Sequence, residues 1–95
     1  MAQRFEDLIF RGSPEGVFRS STVIGDYTLS VIKEPEKTLY EAAIFKGNDF
    51  VQLKGIHRTP EDENDFVDDV IPYLTTEQVS GIMLKLHAMA GVPVD

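Results

Sequence analysis

The sequence predicts an α+β domain, an antiparallel β-meander of four to five strands packed on one C-terminal α-helix. Three observations carry that reading. Extended segments follow one another across short turns. No crossover segment separates them, and parallel pairing needs about a dozen or more connecting residues. A single capped, amphipathic segment closes the chain. At 95 residues the chain reads as one domain, 1–95, with one modest core.

The elements follow in order. "FEDLIF", residues 5–10, reads as a first strand or a helical turn. "RGSPEG" breaks structure through Gly12, Pro14 and Gly16. "VFRSSTVI", residues 17–24, is rich in β-branched and aromatic residues, as strands are. Gly25-Asp26 supplies a two-residue hairpin turn. In "YTLSVI", residues 27–32, Tyr27, Leu29 and Val31 alternate with Thr28 and Ser30, the period of a half-buried strand. "KEPEK" is a charged turn. "LYEAAIF", residues 39–45, is extended, with Glu41 toward water and Tyr40, Ala42 and Ile44 toward the core. Gly47-Asn48 centres the next turn. "FVQLKGI", residues 50–56, is the last expected strand, with Val51 and Leu53 on one face.

The helix spans about 75–90. Thr75 with Gln78 makes a capping box, Leu74 can staple to Val79, and Glu77 suits the positive end of the helix dipole. Val79, Ile82, Met83, Leu86 and Ala90 recur at helical spacing and form the core stripe. Leu84 and Met89 fall off it, on the exposed side. Gly91 supplies a left-handed stop and Pro93 prevents resumption. Gly81 costs about 1 kcal/mol relative to Ala, a cost explained if it permits close approach to the sheet.

Charge is unevenly placed. The net charge is −7, and Glu61, Asp62, Glu63, Asp65, Asp68 and Asp69 supply six negative charges within the acidic loop 59–69. The remaining ten acids nearly balance the nine bases, which are scattered singly from Arg4 to Lys85. Direct nucleic-acid binding is disfavoured, because phosphate contacts need clustered Lys and Arg. The N-terminus does not read as a signal peptide, and no apolar run approaches a membrane span. With no cysteine there is no disulfide framework, thiolate zinc site or cysteine nucleophile, and a cytoplasmic setting is expected.

Other chemistries find little purchase. An EF-hand loop would place Asp62 and Asn64 well, but Phe66 and Val67 stand where a ligand and the glycine belong. Convergence of carboxylates 61–69 leaves a looser divalent-ion site as an alternative. His57 and His87 show no ligand spacing. His57 reads as a surface residue, and His87 as a helix-end residue whose cation suits the dipole. No serine lies in a G-x-S-x-G context, and phosphate-binding glycine loops are absent. No cofactor is called for.

The order "FEDLIF", "GDYTLSVI", "LYEAAIF", "DDVIPYLTTEQVSGIMLKL" resembles small phage- and prophage-encoded proteins. Their pattern is a GY-x-x-SV strand, an LYE-x-A strand and DDVI-x-YLT leading into a C-terminal helix. The chain departs from it at Pro72, where glycine is usual, and in its longer acidic insertion. The resemblance implies a small accessory role and carries no catalytic residues. The leading expectation is a non-enzymatic accessory protein that binds and modulates a host protein with a basic surface. Glu61, Asp62, Glu63, Asp65, Asp68 and Asp69 are the candidate partner-binding residues. The alternatives are an oligomeric structural or assembly protein and, third, a divalent-metal-dependent enzyme. Oligomeric state is left open.

Overall fold

A computed structural model describes residues 4–53, 56 and 69–93. It contains an antiparallel sheet and one C-terminal helix, the α+β meander that the strand pattern predicts. The strands are β1 (Arg11–Gly12), β2 (Phe18–Ile24), β3 (Tyr27–Lys33), β4 (Tyr40–Lys46), β5 (Asp49–Phe50) and β6 (Ile71–Leu74), and α1 is Thr76–Ala90. A 3-10 turn at Phe5–Asp7 precedes them, so "FEDLIF" takes the helical-turn reading.

The three long strands form the frame. β2 and β3 pair from Phe18↔Lys33 to Ile24↔Tyr27, leaving Gly25 and Asp26 as the turn. Gly25 has φ +60°, open to glycine at no steric cost. A Cβ there would lie 2.6 Å from the Ala90 Cβ. Close approach of helix to sheet therefore happens at this hairpin. Gly81 was expected to serve that purpose and does not, for its missing Cβ would meet nothing within 4 Å among the described residues.

β4 pairs β3 along one edge, while β5 and β6 share the other. Lys46↔Asp49 closes a tight turn at Gly47-Asn48, and the Val51 N–H donates to the Ile44 carbonyl at 2.8 Å. The expected strand 50–56 is thus cut short. Among the described residues Asp49–Phe50 is its only strand, and Leu53 is buried in the core. β6 was not expected, because "YLTTEQV" is fully accounted for as helix-start machinery. It supplies that machinery and also a strand, with Ala42↔Ile71 and Tyr40↔Leu74 in register around a bulge. Pro72 is tolerable because β6 lies at an edge.

Alternation sorts the sheet into two faces. Ile24, Leu29, Val31, Ala42 and Ile44 point inward and are buried with Val79, Ile82, Met83 and Leu86 of α1. Phe5, Phe10 and Tyr40 stack at one end of that core, with ring centroids 5.0–5.8 Å apart. The Phe5 N–H donates to Ser80 Oγ at 2.8 Å, tying the N-terminal turn to the helix.

The helix ends are as the sequence predicts. The Gln78 N–H donates to Thr75 Oγ1 at 3.2 Å, and the Thr75 N–H to Gln78 Oε1 at 2.8 Å. Leu74 and Val79 both lie in the core beneath this cap. At the other end Gly91 takes φ +68°, and the Val92 and Gly91 N–H groups reach back to the His87 and Ala88 carbonyls, a Schellman stop.

Candidate interaction surfaces

The acidic loop interrupts a sheet edge. The chain leaves β4 after Val51 and rejoins it at Ile71, and the acidic run lies in the stretch between. Glu61, Asp62, Glu63, Asp65 and Asp68 lie outside the described residues. Asp69 lies within them, half-buried, and its Oδ1 accepts a hydrogen bond from Gln52 Nε2 at 3.1 Å. Gln52 and Asp69 thus bridge the departing and returning strands at the base of the insertion. Asp69 is therefore placed by the fold, unlike a freely solvated carboxylate.

A second acidic group stands beyond β6, at the β3–β4 turn. Glu34, Pro35, Glu36 and Lys37 form that turn, closed by the Lys37 N–H donating to the Glu34 carbonyl at 3.3 Å. Glu36 sits at the third position with φ +65°, where a type II turn favours glycine. Tyr73, in the β6 bulge, has φ +61° and is 76% exposed. These are the described non-glycine residues with positive φ, and both line the same shallow cavity of about 270 Å³. Lys37, Thr38, Leu39 and Glu41 complete its wall. A left-handed non-glycine residue costs about 1–3 kcal/mol and persists where surrounding structure holds it, so two in one cavity mark it out.

Electrostatics there favour a cation. Lys37 Nζ lies 3.2 Å from Glu34 Oε2 and 3.9 Å from Glu41 Oε1. The hydrogen bond that Lys37 donates to Glu34, followed by the Glu34 charge, raises the Lys37 pKa above its ordinary 10.5. Lys37 is solvent-exposed, so these contacts add little to stability. Glu36 makes no ion pair among the described residues.

A third concavity, of about 520 Å³, runs between β6 and α1, lined by Ile56, Ile71, Leu74, Gly81 and Ile82 among others. His87 lies in the last turn of α1, as its helix-end reading has it, but its side chain is buried. It is 1% exposed, packed in the helix–sheet interior, with Nδ1 3.2 Å from the Val92 carbonyl oxygen. A carbonyl only accepts, so that nitrogen carries the proton. His57 lies outside the described residues. Leu84 and Met89 are exposed and Met83 is buried, as the stripe predicts. Among the described residues no three His, Cys, Asp or Glu side chains gather as a metal site, and no helix is long and apolar enough to cross a membrane.

The sequence reading missed Glu36 and Tyr73. Pro35 followed by a charged residue hinted at a turn, but nothing marks Tyr73 as left-handed. That conformation follows from the bulge, a property of the β4–β6 pairing. Comparison with known proteins yields no matching family model, no matching curated protein and no matching solved structure.

Proposed function

We propose that this chain is a small, non-enzymatic binding module that engages a protein partner through an acidic face along the β4–β6 edge. The observation that carries this reading is the insertion of the acidic run between β5 and β6. The Thr75–Gln78 cap and the β4–β6 pairs are made by other residues, which supports a role for the acidic run in recognition. Tyr73 and the Glu34–Glu36–Glu41 group extend the same edge. An exposed ring beside carboxylates suits an Arg or Lys of a partner, by cation–π contact together with charge. A concentrated negative patch steers association with a basic surface. The resemblance to phage-encoded proteins fits an accessory factor that modulates a host protein.

The β4–β6 edge discourages strand addition, because β6 has four residues and carries Pro72 and a bulge. At the other edge β2 pairs β1 only at Phe18 and Arg19, so among the described strands Ser20–Ile24 keeps an open edge, which is the feature that favours the assembly alternative as a second reading. The test is affinity capture from host lysate with wild type and with Glu61→Gln, Asp62→Asn, Glu63→Gln, Asp65→Asn combined. The reading expects a protein with a basic surface retained by wild type and lost from the variant. Equal capture of the same protein by both would refute it.

A further inference from the structure

The opposite edge of the sheet brings together two bases that are eight positions apart in sequence. Arg11 of β1 and Arg19 of β2 are direct cross-strand partners, so their side chains leave the same face. That face is the outer one, away from α1. Among the described residues neither guanidinium has a carboxylate within ion-pair reach. Like charges directly opposed across a ladder are destabilising. On a chain of net charge −7 the pairing is conspicuous, because acids are plentiful and none among the described residues pairs with either arginine.

The surroundings supply donors. Arg11 and Arg19 line an open groove of about 630 Å³ with Ile9, Ser13, Ser21 and Ser30. Ser21 and Ser30 are themselves cross-strand partners, beside Arg19 on the same face. Ser13 Oγ accepts from the Val17 N–H at 3.2 Å, which leaves its hydroxyl proton to donate. The nearest acid along the strand rows is Glu41, reached from Arg19 only across Ile32. Its carboxylate turns to Lys37 instead.

We propose that this groove binds a phosphate group, with Arg11 and Arg19 as the charged clamp and Ser13, Ser21 and Ser30 as hydroxyl donors. Two guanidinium forks and three hydroxyls outnumber what one carboxylate can accept, whereas a phosphate presents three or four oxygens. Its charge also relieves the repulsion between the arginines. Exposed Ile9 at the rim provides apolar surface for the remainder of a phosphate ester. The site stands apart from the acidic edge and does not rest on the function proposed for it.

The experiment is an amide NMR titration of the whole chain with inorganic phosphate, pyrophosphate and adenosine 5′-diphosphate, each against sodium chloride at equal ionic strength. Saturable shifts are expected at Arg11, Arg19, Ser21 and Ser30, with none at the helix cap around Gln78. Arg19→Gln and Arg11→Gln should each weaken binding at least tenfold while keeping the wild-type spectrum elsewhere. Lys46→Gln, at the far end of β4, should leave binding unchanged. Stronger binding of the nucleotide than of pyrophosphate assigns the site to a phosphate ester, and equal binding assigns it to the phosphate alone. Shifts that chloride reproduces, or that survive both arginine substitutions, would overturn the proposal.

Discussion

Gly81→Ala tests how the helix meets the rest of the molecule. Gly81 lies in the second turn of α1, past the capped first turn, so the full interior penalty of glycine applies. Replacing it with alanine gains about 1 kcal/mol from propensity and from reduced unfolded-state freedom. A steric debit would normally be set against that gain. Among the described residues there is none, since the added Cβ meets nothing of theirs within 4 Å and the backbone is helical. The methyl faces the groove between β6 and α1, where it gains little burial. The net expectation is a stabilisation of about 1 kcal/mol, or about 4–8 °C in Tm for a domain of this size. Urea unfolding followed by circular dichroism measures it, with an unchanged m-value showing that only stability has moved. A loss of stability would refute the reasoning, because it would mean that the groove is filled against Gly81 in solution.

Three further substitutions probe the frame. Thr75→Ala removes the side-chain half of the capping box and should cost about 1 kcal/mol in the same assay. Leu86→Asp places an unpaired charge at a fully buried position and should abolish cooperative unfolding near room temperature, as a calorimetric scan would show. Glu36→Gly relieves a left-handed glutamate in an open turn and should raise stability by up to about 1 kcal/mol by urea unfolding. If glycine at 36 also weakens partner binding, the strained cavity belongs to the acidic face.

The long elements were legible because local signals and burial agree there. Tyr27, Leu29 and Val31 alternate and are turned toward the core. Thr75, Gln78 and Gly91 specify a cap and a stop, and the backbone follows them. Where tertiary pairing decides, the local pattern misleads. "FVQLKGI" alternates like a strand, yet β4 offers its outer edge to two separate segments, and the second begins at Ile71. "IPYL" carries a proline and precedes a strong cap, so nothing local identifies it as a strand. His87 sits one position from Leu86, just off a regular stripe, and its burial depends on the Schellman stop folding Val92 back over it. Of the candidate acidic residues, Asp69 is anchored by Gln52, a contact seventeen positions distant that no local pattern encodes. The pairing of Arg11 with Arg19 is hidden for the same reason, since register alone brings the two together.

The central claim is that the acidic run serves recognition and not folding. The most direct measurement takes the protein captured from host lysate and follows its association with wild type and with the variant neutralised at Glu61, Asp62, Glu63 and Asp65, at low and at physiological salt. The account predicts that the variant keeps wild-type stability or gains slightly at low salt, where screening is weak. It should associate more slowly, and its rate should depend less steeply on salt. Wild-type association rates and salt dependence in a folded variant would contradict the account, as would a variant that fails to fold.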